Sequence, residues 1–156
     1  MRVGDMIVNL THLPEYSLPE GVKVKRAFPG EKERILQYIR DNFGKCWPCE
    51  AEHALMAPVS QCFIATRAGK IIGFSCYDSS ARGFFGPIGV SSDERGNGVG
   101  KALLLRTLNA MYEYGYIYAV IGWVGEAAGF YQKTVAAEWI PGGEPENSVY
   151  RNMIDM

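Results

Sequence analysis

The chain has 156 residues, a formal net charge of −1 and 47% hydrophobic residues, which is ordinary for one globular domain. Lys and Arg do not cluster, so we expect no nucleic-acid partner. No apolar run approaches the roughly 18–20 residues that cross a bilayer, so we expect no membrane partner. The first residues lack a secretory apolar segment, which favours a cytoplasmic protein.

The N-terminal part predicts two strands and a helix. Residues 1–21 contain several Pro and Gly breakers, and residues 6–10 within them predict a short strand, either an extra edge strand or an arm toward another subunit. Alternating residues at 22–27 predict a half-buried strand. Residues 31–43 predict a helix with one apolar face, which ends at Gly44.

The segment Cys46-Trp47-Pro48-Cys49 has the spacing of a redox pair or of half a metal site. A zinc site needs two more ligands and only His53 is near, so we expect no metal. Because Pro48 suits the first turn of a helix, we favour a helix that begins here and runs to about Ala57. A redox dithiol is the remaining alternative.

The middle of the chain predicts a hairpin and then an irregular strand. Residues 61–66 and 71–77 read as two strands joined by a turn at 68–69. Residues 83–90 predict a fourth strand, counted from residue 22. Pro cannot donate to a strand ladder, so we expect a bulge near residues 86–87. The later predicted elements are a helix at 98–114, a strand at 116–123, a helix at 125–134, and strands at 136–140 and 148–153.

A glycine-rich loop joins the irregular strand to the longest predicted helix. It consists of Arg95, Gly96, Asn97, Gly98, Val99, Gly100 and Lys101. The first turn of a helix leaves backbone N–H groups unpaired and carries about half a positive charge. Glycines allow close approach to the backbone, so the loop predicts a site for a phosphate or a pyrophosphate.

Two common nucleotide motifs do not fit this loop. A Walker A loop needs a Gly five residues before its Gly-Lys pair and Ser or Thr after it, but Arg95 and Ala102 occupy those places. A dinucleotide fingerprint has the spacing G-x-G-x-x-G, whereas Gly96, Gly98 and Gly100 are spaced G-x-G-x-G.

The spacing Arg95-x-x-Gly98-x-Gly100 instead resembles the acyl-CoA pyrophosphate loop of the GNAT superfamily of N-acetyltransferases. Further along, residues 127–133 (Ala-Ala-Gly-Phe-Tyr-Gln-Lys) resemble a later motif of that family, in which Ala precedes an aromatic residue and a Tyr. The resemblance covers roughly residues 60–141.

The resemblance implies an α/β fold with a mixed sheet. In that fold six to seven strands form a mostly antiparallel, twisted sheet with a bulged fourth strand, flanked by about four helices. It implies a single acyl-CoA N-acyltransferase domain over residues 1–156, with an N-terminal extension at 1–21 and a core at 22–154. It also implies acetyl-CoA as co-substrate, no metal and, by analogy, a possible homodimer.

The resemblance also assigns roles to residues. The bulge would open a V-shaped cleft for the pantetheine arm of acetyl-CoA, and Tyr131 would protonate the departing thiolate as the catalytic residue. Aromatic side chains of Phe43, Trp47 and Trp123 would line the acceptor side of the cleft. The expected coenzyme-binding residues are Ile88, Gly89, Val90, Arg95, Gly96, Asn97, Gly98, Val99, Gly100 and Lys101.

The general base is not identified by the pattern, because the irregular strand carries no Asp or Glu. Five residues are candidates by proximity in the implied fold, and each is better explained as a surface group or a structural histidine. They are Glu50, Glu52, His53, Asp78 and Glu126.

The leading functional hypothesis is transfer of an acetyl group from acetyl-CoA to a primary amine of a small molecule by direct attack. Acetylation of a protein N-terminus or lysine is a second acceptor class. A non-catalytic acyl-CoA-binding sensor is an alternative of another class, and a thiol-redox protein that uses Cys46 and Cys49 is a weaker one.

Overall fold

The computed structural model describes residues 1–156, and its centre is one seven-stranded sheet. The strands are β1 (Gly4–Asn9), β2 (Val22–Arg26), β3 (Cys62–Arg67), β4 (Lys70–Tyr77), β5 (Phe84–Val90), β6 (Tyr118–Val124) and β7 (Glu138–Trp139). The helices are α1 (Lys32–Phe43), α2 (Cys46–Leu55), α3 (Val99–Tyr114) and α4 (Ala128–Val135). The order across the sheet is β2-β3-β4-β5-β6-β1-β7, and only the pair β5–β6 is parallel. The expected mixed fold is therefore confirmed.

Helices cover both faces of the sheet because its central strands bury side chains in both directions. Along β3, Phe63 belongs to a core cluster of 22 buried residues, and its neighbour Ile64 belongs to a second cluster of 11. The larger cluster includes the buried leucines of α3, and the smaller one includes the apolar stripes of α1 and α2. No helix of the chain combines the length and the apolar character needed to cross a membrane.

The first strand occupies an interior position of the sheet. β1 pairs with β6 on one side and with β7 on the other. The prediction that residues 6–10 form an edge strand or an arm toward another subunit was therefore wrong. The partner strands of β1 lie more than a hundred residues away in sequence, so no local pattern could indicate the pairing.

The predicted strand at 148–153 was also wrong. The segment forms short 3-10 turns at Pro145–Asn147 and Val149–Asn152, and the preceding strand is only the two residues of β7. Side-chain contacts hold these turns, because the Tyr150 ring packs at 5.1 Å, centroid to centroid, against the ring of Trp123 on β6.

The sheet opens between β5 and β6. The ladder between these strands contains only the pairs Phe84–Val120 and Phe85–Ile121. On the other side of β5, Ser75 pairs with Ile88 but Tyr77 pairs with Phe85, so β5 carries one extra residue between these points. The expected bulge near residues 86–87 is confirmed, and beyond it β5 and β6 diverge.

Candidate active site

A cavity of about 1190 Å³ lies where β5 and β6 diverge. Its volume is somewhat larger than that of most small-molecule sites, which commonly measure about 300–1,000 Å³. Residues 86–90 of β5 and 121–124 of β6 line it, and these parts of the two strands do not pair with each other. Backbone polar groups on both walls are therefore available to an extended ligand, as they are to an added strand.

The glycine-rich loop forms one end of this cavity. Gly98 caps the N-terminus of α3 with a left-handed φ of +86°, and no side chain caps the helix there. The first amides of α3 therefore have no helical partner and are available to an anion. Arg95 Nε donates to the Val90 carbonyl at 3.3 Å, and both residues line the cavity.

The other predicted loop residues occupy different positions. Gly96, Asn97 and Lys101 are exposed around the start of α3, and Val99 is buried in the core with its side chain turned from solvent. Gly100 lines the cavity, together with the predicted β5 residues Ile88, Gly89 and Val90.

A bidentate ion pair between Arg67 and Glu94 fixes the start of the glycine-rich loop. Arg67 on β3 donates from Nε and Nη2 to the two carboxylate oxygens of Glu94, at 2.9 and 3.1 Å. The same guanidinium donates to the Glu20 carbonyl at 2.8 Å. Arg67 lowers the pKa of Glu94 because it stabilises the carboxylate. The residue before Arg95 is thus fixed to the sheet and to the N-terminal segment.

Tyr131 on α4 points into the cavity. Its ring makes an edge contact with Phe85 at 6.3 Å between centroids, at the last paired position of β5. The hydroxyl makes no hydrogen bond within the chain, and burial raises the pKa of Tyr131 to about 12. The phenol is therefore protonated at neutral pH and directed at the cavity, where it can donate a proton.

The five candidate bases separate into two groups. Three of them are engaged elsewhere: Glu52 pairs with Lys32 at 3.3 Å, His53 Nδ1 lies 3.0 Å from the Ser79 carbonyl, and Asp78 accepts from the Tyr116 hydroxyl at 2.8 Å. The remaining two, Glu50 and Glu126, line the cavity.

Aromatic side chains form much of the remaining wall. Phe43, Trp47 and Trp123 line the cavity as expected. Phe130 is 39% exposed and also lines it.

Ser80 and Tyr150 are among the lining residues that the sequence did not indicate. Ser80 belongs to a polar turn that carries no distinguishing pattern. Tyr150 lies against β6 because Gly122 has no side chain, and a Cβ added there would stand 2.8 Å from Tyr150 Cε2. A glycine inside an apolar strand is a signal of close approach and could have indicated such a partner.

The Cys46–Cys49 segment begins α2, as predicted, with Pro48 buried in the first turn. Both thiols are free and exposed, and Cys46 lines the cavity. No group of three or more His, Cys, Asp or Glu side chains is placed to hold a metal ion.

Comparison with protein families agrees with this geometry. Residues 58–134 match the model of the acetyltransferase (GNAT) domain, a range that contains both the glycine-rich loop and Tyr131. None of the curated proteins matches the chain at a significant level.

Solved structures share the fold at low sequence identity. A GCN5-related N-acetyltransferase from Sphaerobacter thermophilus is 18% identical with a TM-score of 0.71, over 88% of this chain and 48% of that one. The glucosamine N-acetyltransferase region of a fungal multi-domain GH3 beta-N-acetylglucosaminidase is 16% identical with a TM-score of 0.69, over 88% of this chain and 20% of that one.

A third similar structure is an aminoglycoside acetyltransferase from an uncultured soil metagenomic sample. It is 18% identical with a TM-score of 0.54, over 73% of this chain and 87% of that one. The chain spans 48% of the length of the Sphaerobacter thermophilus structure and 20% of the length of the fungal one. The family match over residues 58–134, the forked sheet and the glycine-capped helix together identify a GNAT acetyltransferase domain in this chain.

Proposed function

We propose that the protein transfers an acetyl group from acetyl-CoA to a primary amine of a small molecule. The observation that carries this proposal is the continuity of one cavity from the glycine-rich loop, at Arg95 and Gly100, to the phenol of Tyr131. The GNAT domain match supports the acyl donor, and the acceptor class is proposed from the cavity's shape and lining.

The residues of the cavity fit acetyl-CoA. The free amides at the start of α3 and the Arg95 guanidinium would hold the diphosphate. On the side of β5 that faces β6, where Ile88, Gly89 and Val90 have no strand partner, their backbone would align the pantetheine arm. The neighbouring Gly96, Asn97, Val99 and Lys101 complete the loop. The thioester supplies the activated acetyl group when the co-substrate is bound.

The chain's own groups then serve the proton transfers. Tyr131 is a neutral phenol in the cavity and would donate its proton to the departing thiolate. The acceptor amine, which titrates near pH 10 in water, must lose a proton before it attacks. Glu50 and Glu126 are the two acidic side chains on the cavity wall that could accept this proton.

The lining favours a small acceptor over a protein. Trp47 and Trp123 line the cavity together with Val149 and Tyr150 of the C-terminal turns, and Tyr150 packs against Trp123. A protein N-terminus or lysine is the second acceptor class. The low-identity likeness to an aminoglycoside acetyltransferase suits a small acceptor but concerns that protein's own substrate. A homodimer is a further expectation by analogy with the family.

The test is release of free CoA thiol from acetyl-CoA, with polyamines, amino sugars, aminoglycosides and peptide N-termini as acceptors. We expect turnover with a small amine. Tyr131→Phe should lower kcat by about 100-fold or more while CoA still binds, since a positioned proton donor contributes at least that factor. The control is Tyr112→Phe, whose ring is 46% exposed on α3.

Binding of CoA without turnover of any acceptor would instead support the non-catalytic sensor. Equal turnover by Tyr131→Phe and wild type would remove Tyr131 from the mechanism.

A further inference from the structure

One wall of the cavity carries a carboxylate with spare hydrogen-bonding capacity. Glu50 on α2 accepts a hydrogen bond from Ser80 Oγ at 2.6 Å and takes part in no ion pair. An ionised carboxylate has room for about four hydrogen bonds, so most of this capacity is unused. A cationic ligand beside it would form charge-assisted hydrogen bonds with the free positions.

The turn that orients Glu50 is itself fixed. Ser79, which is 7% exposed, donates from its hydroxyl to the Glu50 carbonyl at 2.5 Å. The adjacent Ser80 donates to the carboxylate of the same residue. Two neighbouring serines thus tie one turn of α2 to the end of β4, which sets the direction of the Glu50 side chain.

Aromatic rings line the same cavity as this carboxylate. Tyr150 lines the same cavity as Glu50, and burial together with the carboxylates of Asp5 and Glu50 raises the pKa of its phenol. Tyr150 stacks edge-on against Trp123, and Trp47 lies on the same helix as Glu50. Faces of Trp and Tyr attract cations, so rings and carboxylate favour the same kind of ligand. We call Trp47, Glu50, Ser80, Trp123 and Tyr150 the acceptor pocket.

The charged residues of the whole cavity also favour a cationic acceptor. Its charged lining residues are Glu50, Glu126 and Arg95. Arg95 is bound to the Val90 carbonyl beside the glycine-rich loop, where the diphosphate of CoA would engage it. No cation remains on the cavity wall to hold a carboxylate of the acceptor.

We propose that Glu50, oriented by Ser80, binds the amino group of the acceptor in the acceptor pocket, and that the acceptor is a cationic amine without a carboxylate next to that amino group. The proposal rests on the proposed function, because it names the substrate class of the same site. It excludes α-amino acids, which would place a second carboxylate against Glu50.

The test compares phenethylamine with phenylalanine, which differ only by a carboxylate, in turnover assays with acetyl-CoA. We expect kcat/KM for phenethylamine to exceed that for phenylalanine by about tenfold or more, because like charges are brought together in the second case. Glu50→Gln should raise KM for phenethylamine about tenfold, as loss of a charged hydrogen-bond partner does. Ser80→Ala should raise it less.

Calorimetry supplies a readout that is independent of turnover. Phenethylamine titrated into the complex with CoA should bind wild type but bind Glu50→Gln at least about tenfold more weakly, with the Kd of CoA unchanged. The control is Glu52→Gln on the same helix, whose carboxylate pairs with Lys32 outside the cavity.

Equal use of phenylalanine and phenethylamine, or an unchanged phenethylamine KM in Glu50→Gln, would overturn the proposal while leaving the acetyltransferase assignment intact. Failure of wild type to bind CoA would overturn the proposed function and this proposal together.

Discussion

Burial determines the protonation state of the Tyr131 phenol. The side chain is 5% exposed, and desolvation raises the pKa of its phenol to about 12. The neutral form is therefore the form present at any physiological pH, and the hydroxyl keeps the proton that it would donate. A solvent-exposed tyrosine would ionise near pH 10.

The same shift predicts an alkaline loss of stability. Because the folded pKa lies above the unfolded value of 10.0, the neutral phenol favours the folded state below pH 10, and this contribution is lost as pH rises through about 12. Between pH 8 and pH 11, wild type should lose about 1 kcal/mol more of its free energy of unfolding than Tyr131→Phe. Urea unfolding at the two pH values measures this difference. Identical losses in the two proteins would show that Tyr131 is not desolvated.

At this scale, a motif can single out one residue, whereas tertiary contacts leave no local pattern in the sequence. Tyr131 follows from the spacing of its motif, and the structure brings it to the cavity. Glu50 was one of five equal candidates, because the Ser80 hydrogen bond that orients it joins residues 30 positions apart. No local pattern could have selected it.

At the scale of elements, the start of α3 depends on the backbone conformation of Gly98. Its φ of +86° is in the left-handed region, where a side chain costs about 1–2 kcal/mol. Gly100 differs, since its φ is helical and an added Cβ would meet Val90 Cγ2 at an ordinary 3.7 Å.

This difference predicts opposite outcomes for two similar substitutions. Gly98→Ala should lower the free energy of unfolding by about 1–2 kcal/mol and weaken CoA binding, because the amides at the start of α3 shift. Gly100→Ala should be neutral or slightly stabilising, since alanine favours helix. Thermal unfolding of both variants checks this, and equal effects would contradict the left-handed cap.

Elements with local signals were predictable and those with long-range partners were not. The hairpin of β3 and β4 follows from its turn, where Ala68 and Gly69 both have positive φ. The bulge in β5 follows from a proline that cannot donate. The interior position of β1 does not follow, because its short apolar run at residues 6–8 does not identify the distant strands with which it pairs.

At the scale of the whole molecule, Asp5 joins the two ends of the chain to the cavity. Its carboxylate accepts hydrogen bonds from the backbone N–H of Trp123 at 3.0 Å and from the Ser148 hydroxyl. Trp123 has a φ of +49°, which is uncommon for a residue other than glycine, so this contact stabilises an unfavourable backbone. The aromatic wall and the C-terminal turns are thus held by one residue of β1.

Asp5→Ala should therefore lower the free energy of unfolding by about 2–3 kcal/mol, because it leaves two donors without their partner. The exposed Glu15 is the matched control, and Glu15→Ala should change stability by less than about 0.5 kcal/mol. Urea unfolding measures both. An Asp5→Ala protein as stable as wild type would mean that the C-terminal turns are held by other contacts.

The central claim is that backbone amides at the start of α3 bind the diphosphate of coenzyme A, and calorimetry with CoA and with pantetheine tests it most directly. Pantetheine lacks the diphosphate and the nucleotide. Wild type should bind CoA at least about 100-fold more tightly than pantetheine, since charge-assisted hydrogen bonds contribute about 1.5–3 kcal/mol each. The variant that combines Arg95→Ala with Gly98→Asp should lose this preference. Equal affinities of wild type for the two ligands, or no binding of CoA, would contradict the account.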